Sequence, residues 1–374
     1  MKKILALLLC GILTFTVGCS SGNSMVSQES TNTSQISSME FITSSENLLE
    51  ETITSAEKVS SSASSKDATS SEPEVKNPLV ITCYGDSVTE GMSVEYDEKY
   101  PTILATLLGK KYKVQNAGIG GEKTTAIMAR QGSLKIYTKQ EITFTAGQTE
   151  VLVAQGTSRG VVAEDGREPT WNDPFGRDVP IGDVTVNGKA YKLQFRNFAW
   201  SKGGGPSTCD TYLVRANADS EETIPANSQV IFTASNTSKT NYADIYFMGF
   251  NGTYNDIDEL ISQYQKMIDY RNDDNYLVVI PFWEKSIKKK AYEKFKETFG
   301  DHAVDVVEYC VNGGLDKLGI TLEKYDKGCL ESEILPYSLK LYTISNRQDV
   351  HLNEKGYKVL ANAIFEQGKK VKLW

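Results

Sequence analysis

Short apolar runs alternate with helix-periodic stretches over much of this 374-residue chain, and that alternation restricts the fold to few architectures. Residues 79–84 form an apolar run ending at Gly85, and residues 112–115 form a second short run ending at Asn116-Ala117-Gly118. Each has the length of a strand buried in a parallel sheet. Between them, Tyr100–Leu108 has helical spacing. The pattern resumes with a strand over 244–248, a helical stripe of Ile257, Leu260, Ile261, Tyr264 and Met267, and a strand over 276–280. A helix over Lys285–Phe299, a strand over 303–310 and an amphipathic helix over 353–367 complete it. Strand and helix in turn predict an α/β fold, an open, mostly parallel sheet with helices on both faces. Ligands of such sheets bind outside the carboxyl ends of the strands.

Residues 134–239 interrupt the pattern with a different texture. Segments 141–145, 149–154, 184–196, 212–216 and 229–234 are strand-like and are separated by Gly, Pro and Asn turns, with Asn187-Gly188 as a hairpin signal. The reading is a main domain of residues 78–133 and 240–374 carrying a small inserted all-β module.

The N-terminal 77 residues cannot join either part. Residues 1–19 open with Lys2 and Lys3, continue through an apolar run and end at Thr16-Val17-Gly18-Cys19, which reads as an export signal with small residues before a cysteine. The apolar stretch is too short for a permanent span. Residues 20–77 hold 18 Ser and 6 Thr, and 9 acids against 3 lysines place −6 of the chain's net −8 there. Such a segment buries too little apolar surface to offset its ordering entropy, so a disordered tether is expected, reaching about 40 Å. With Lys2 and Lys3 counted, residues 78–374 carry −4 and no basic stripe, which argues against nucleic acid as a partner.

Four cysteines fall in the folded part: Cys83, Cys209, Cys310 and Cys329. None of their spacings is a zinc knuckle, and no metal or other cofactor is expected. Free buried thiols and bridges are both open, with Cys310 and Cys329 the pair that a bridge would join.

Gly85-Asp86-Ser87 follows the first strand directly, which places Ser87 where a nucleophile can be presented. The same tripeptide also suits a capped turn whose acid or hydroxyl satisfies helix amides. A serine nucleophile needs a base that titrates near neutrality, and the chain has two histidines. His302, in Gly300-Asp301-His302-Ala303, reads as a surface turn residue. His351, in Asp349-Val350-His351-Leu352-Asn353, directly precedes the closing helix and is either that base or a residue of the capping region.

With these residues in place, the folded part resembles the SGNH hydrolase superfamily, also called GDSL esterases. Gly85-Asp86-Ser87 resembles the first family block, whose serine, here Ser87, is the nucleophile. Asn116-Ala117-Gly118-Ile119-Gly120-Gly121 resembles the second, whose last glycine, here Gly121, donates a backbone N–H to the oxyanion. Gly249-Phe250-Asn251 resembles the third, whose asparagine, here Asn251, donates a side-chain N–H. His351-Leu352-Asn353 with Gly356-Tyr357 resembles the fifth, whose histidine is the base. Ala129-Arg130-Gln131-Gly132 leading into a β insertion is similar to a Gram-positive and phage-associated subgroup. The ending at Cys19 resembles the lipobox of bacterial lipoproteins, which implies a diacylglyceryl group on Cys19, although Thr16 replaces the more usual leucine.

Two positions depart from the family pattern. Gly252 stands where the third block usually has aspartate. Gln348 stands three residues before the histidine, where the family places its orienting aspartate, and Asp349 stands two before. Asp349, Gln348 or a backbone carbonyl is left to orient His351.

The resemblance implies an SGNH hydrolase fold and a serine esterase in which Ser87 attacks and His351 moves the proton. The N–H groups of Ser87 and Gly121 and the Asn251 amide would receive the oxyanion. Together with the export signal it implies lipid anchoring through Cys19 at the outer face of a bacterial cytoplasmic membrane, and acyl esters, acetyl above all, on carbohydrate or cell-wall polymer as substrates. No catalytic block falls in the insertion, so it is expected to govern substrate choice. Its Trp171, Phe175, Tyr191 and Trp200 are candidates either to stack on sugar rings or to form the module's core. Two alternatives stay open: a lysophospholipase-like lipase, and a non-catalytic surface binding protein with a weakened triad.

Overall fold

A computed structural model describes residues 77–374 apart from 170, 172–181, 200–207, 234–238, 284 and 342–349. The export signal with Cys19, the tether up to residue 76, and Phe175, Trp200, Gln348 and Asp349 lie outside the described residues.

Five parallel strands form the first sheet: β1 (Leu79–Gly85), β2 (Tyr112–Gly118), β3 (Ala243–Phe247), β4 (Tyr276–Val279) and β5 (Ala303–Val304). Their order is β2-β1-β3-β4-β5, the flavodoxin-like order, so the winding direction reverses between β1 and β3. Register sets the heights of the strand ends. Gly85 pairs with Gly118 on one side and with Phe247 on the other. Strands β2, β1 and β3 therefore end level, and the loops that begin at residues 86, 119 and 248 leave the sheet side by side.

All five residues of β3 and the last five of β1 are buried. Alternate side chains of a strand point to opposite faces, so both faces must be covered. α2 (Tyr100–Leu108) packs on the closing helix α6 (Glu354–Lys370). α3 (Thr124–Gln131) packs on α4 (Ile257–Arg271), which packs on α5 (Lys285–Phe299). The strand expected over 303–310 stops at Val304, because the Asp305 side chain accepts from Glu308 N–H at 2.9 Å and caps a helical turn over Val306–Tyr309. The Cys310–Cys329 bridge is not formed: both are buried and outside any disulfide, as are Cys83 and Cys209, and Cys329 belongs to a separate short helix, Asp326–Glu331.

The interrupting segment is antiparallel throughout its described strands, which make a seven-stranded sheet and a two-stranded one. Asn187 (φ 49°) and Gly188 (φ 77°) both occupy the left-handed region and join Asp183–Val186 to Lys189–Ala199, as a two-residue hairpin requires. Phe144, Trp171, Leu193, Leu213 and Phe232 form part of its core. Trp171 and Tyr191 are 1% and 5% exposed, and the Tyr191 hydroxyl donates to Glu222 at 2.7 Å, so both pack the module's interior rather than offering a sugar platform. Trp171 also donates from Nε1 to the Ala126 carbonyl of α3 at 3.4 Å, so the module and the α/β part share a packing boundary.

Candidate active site

β1 passes into the one-turn helix α1 (Ser87–Glu90) through a constriction that admits only glycine. A Cβ on Gly85 would lie 2.3 Å from the Phe247 carbonyl oxygen, and one on Gly118 would lie 2.2 Å from the Glu90 amide. Asp86 is the N-cap of α1, its Oδ1 accepting from Val88 N–H at 3.1 Å. The capped-turn reading thus holds for Asp86, and the adjacent Ser87 is left as the nucleophile candidate. Burial pushes the Asp86 carboxyl up to about 7; the Val88 amide opposes the rise and the Glu122 carboxylate adds to it. Among the described residues its buried Oδ2 makes no hydrogen bond of ordinary geometry, although the Phe250 amide also favours the carboxylate.

Ser87 Oγ lies 2.9 Å from His351 Nε2, across 264 residues of chain. The backbone around the histidine is pinned on both sides. Leu341 N–H donates to the His351 carbonyl at 3.0 Å, Asn353 N–H donates to Leu339 O at 3.1 Å, and Lys340 and Leu352 form an antiparallel bridge. The Asn353 amide donates to Ser338 O and Lys340 O at 2.8 and 3.0 Å, while its Oδ1 accepts from Gly356 N–H and caps α6. His351 is therefore both near the cap, as its sequence position suggested, and in contact with the serine. His302 is elsewhere: its Nδ1 lies 2.8 Å from Tyr276 O at the amino ends of β4 and β5, the wrong end of the sheet. The remaining question from the sequence, which group orients His351, falls on Gln348 and Asp349, outside the described residues.

The loop after β2 spends most of its early amides on internal hydrogen bonds. Gly118 N–H donates to Asn116 Oδ1 (2.9 Å), Ile119 N–H to Gly85 O (3.1 Å), Gly120 N–H to Glu90 Oε2 (2.5 Å) and Glu122 N–H to Ile119 O (3.2 Å). Gly121 N–H makes no hydrogen bond among the described residues. Gly121 sits at φ 73°, a conformation that glycine adopts without steric cost. The third loop is held by Tyr264, whose hydroxyl donates to Met248 O at 2.6 Å, and by Tyr254, whose hydroxyl donates to Gly249 O at 2.6 Å. Asn251 then reaches across to donate from Nδ2 to Glu122 O at 3.0 Å, leaving the second hydrogen of the same amide nitrogen. Gly252 has φ 82°, in which an aspartate would be strained, so glycine at this departure from the family pattern fits the local backbone.

The arrangement puts Ser87 against His351 and ties Asn251 to the residue after Gly121, on loops that leave the carboxyl ends of β1 to β3 and on the segment before α6. Sequence reasoning gave no role to Glu90, Glu122 or the second function of Asn353, and noted Arg130 only within the run Ala129-Arg130-Gln131-Gly132. Glu122 follows Gly121 directly and Arg130 stands eight residues on, but only the fold shows that the two are buried against each other.

No protein-family model matches the sequence, and no curated protein matches it. Among solved structures, the chain is similar to a member of the lipolytic protein G-D-S-L family from Veillonella parvula DSM 2008, at 13% identity and TM-score 0.34, covering 77% of this chain and 96% of that one. It is also similar to a carbohydrate acetylesterase family member from Sinorhizobium meliloti, at 12% identity and TM-score 0.30, covering 79% of this chain and 98% of that one. Superpositions this loose carry no information about chemistry; the side chains at the sheet's edge do.

Proposed function

We propose that the protein is a serine esterase that hydrolyses acyl esters, in particular acetyl esters of a carbohydrate or cell-wall polymer. The observation that carries this reading is the 2.9 Å contact between Ser87 Oγ and His351 Nε2, with Gly121 N–H making no hydrogen bond among the described residues. Ser87 Oγ attacks the ester carbonyl carbon as its proton passes to His351 Nε2. The carbonyl oxygen becomes an oxyanion facing Ser87 N–H, Gly121 N–H and the second Asn251 N–H, each worth about 2.7–4 kcal/mol in such a site. Collapse expels the alcohol, which takes the proton from His351. Water, activated by the same nitrogen, then cleaves the acyl-serine and releases the acid. An alcohol leaves more readily than an amine, which favours esters over amides. Export and a lipid anchor at Cys19 complete the proposal; their support is the sequence of residues 1–19 alone.

The test is acetate release by the full-length protein from p-nitrophenyl acetate and from acetylated polysaccharides, with Ser87→Ala as control. Release by the parent and none by the variant is expected. A folded parent that releases no acid from either substrate class would refute the reading.

A further inference from the structure

We propose that Glu122 and Arg130 are positioning residues that set the separation between two oxyanion donors, Gly121 N–H and Asn251 Nδ2–H. The inference rests on the esterase reading of the same site. Both side chains are essentially inaccessible, 0% and 1% exposed. Arg130 Nε meets both carboxylate oxygens of Glu122 at 3.1 and 2.9 Å, and its Nη2 meets Oε2 at 2.6 Å. The same Nη2 donates to the Ala117 carbonyl of β2 at 2.9 Å, so the pair is referenced to the sheet itself. Glu122 touches both donors through its main chain. Its nitrogen is the next amide after Gly121 and is fixed on Ile119 O, and its carbonyl accepts one of the two Asn251 amide hydrogens at 3.0 Å. A primary amide is planar, so holding one N–H fixes the direction of the other. Three elements thus meet at the Glu122–Arg130 pair: β2 through Ala117 on Arg130, α3 through Arg130 itself, and the loop after β3 through Asn251 on Glu122.

A buried ion pair is a poor source of stability beside an apolar pair of the same volume, because desolvation offsets its attraction. It does supply a rigid, two-point geometry that an apolar pair lacks. Their side chains hold each other and the Ala117 carbonyl, so the effect proposed for them acts through the loop they hold.

The experiment compares the full-length parent with Arg130→Lys and with the double variant Glu122→Met/Arg130→Met. The first keeps a charge opposite Glu122 but loses the fork. The second removes both charges and leaves neither stranded. Thermal unfolding, kcat and KM on p-nitrophenyl acetate, and the inhibition constant of phenylboronic acid, which forms a tetrahedral adduct on an active serine, are measured for each. For folded variants we expect kcat to fall by about ten- to a hundredfold, part of what a lost donor costs, with KM within about twofold. Boronate affinity should fall by a similar factor, a change that a merely structural pair would not produce in folded protein. Folded variants with unchanged kcat and boronate affinity would overturn the inference while leaving the esterase reading intact. A parent that neither turns over the ester nor binds the boronate would overturn both.

Discussion

Asp86 is subject to two opposed forces. Capping Val88 N–H favours its carboxylate, whereas complete burial favours the neutral acid, and burial dominates: the carboxyl is pushed from 3.8 up to about 7. Because the folded value lies above the unfolded one, the native state binds the extra proton between these pH values, and stability falls as pH rises through that window. Asparagine accepts from Val88 N–H without ionising. Melting curves across pH should therefore show the parent losing stability relative to Asp86→Asn between pH 3.8 and about 7, with little difference below the window. Glu122 enters here as well, since its charge helps to raise Asp86. At His351 the open issue is orientation. Asp349→Asn should cost on the order of 10⁴ in kcat if Asp349 fixes the imidazole tautomer, as loss of the acid does in a Ser-His-Asp triad; a small loss would assign that role to Gln348 or to a backbone carbonyl.

Glycines mark the places where whole elements approach each other, and their costs are separable. Gly118 ends β2 where its notional Cβ meets the Glu90 amide at 2.2 Å and the Thr89 carbonyl carbon at 2.5 Å, both main-chain atoms that cannot swing aside. Gly328 lies in the short helix Asp326–Glu331 with nothing within 4 Å of its notional Cβ. Thermal unfolding should show Gly118→Ala destabilised by about 1–3 kcal/mol or more, with activity lost alongside, and Gly328→Ala unchanged or stabilised by up to about 1 kcal/mol. The first glycine was visible in the sequence as part of a motif, but the reason for it, a strand end pressed against α1, was not. Periodicity placed the parallel strands and α2, α4 and α6 well because each is long or uniformly apolar. It failed over 303–310, where Asp305 reads as a polar residue inside an apolar run and is in fact a helix cap. Local pattern cannot separate those two roles, because the deciding contact, Glu308 N–H on the Asp305 carboxylate, exists only once the chain has turned.

The likeness between Ser87, Gly121, Asn251 and His351 and a family's blocks was legible because each block is local. What holds the blocks together was not, because Glu122, Arg130, Tyr264 and the 339–341 segment act across the fold. The insertion shows the same division. Its strand texture was readable, but its attachment was not: Trp171 donates to α3, and Arg167 donates to Thr253 O at 2.8 Å and pairs with Glu259 at 2.7 Å beside the Asn251 loop. Trp171→Ala should cost about 3–5 kcal/mol, measured by denaturant unfolding. Replacing 134–239 by a short linker, which would strip that packing from α3, should impair hydrolysis of even a small aryl ester. Full retention on the small ester with loss only on polymer would instead confine the module to substrate choice.

The most direct measurement is to treat the full-length protein with a fluorophosphonate and map the adduct by mass spectrometry. A single adduct on Ser87 is predicted, absent in Ser87→Ala and formed orders of magnitude more slowly in His351→Ala. An adduct on any other residue, or an unchanged rate in His351→Ala, would contradict the assignment of Ser87 and His351 as nucleophile and base.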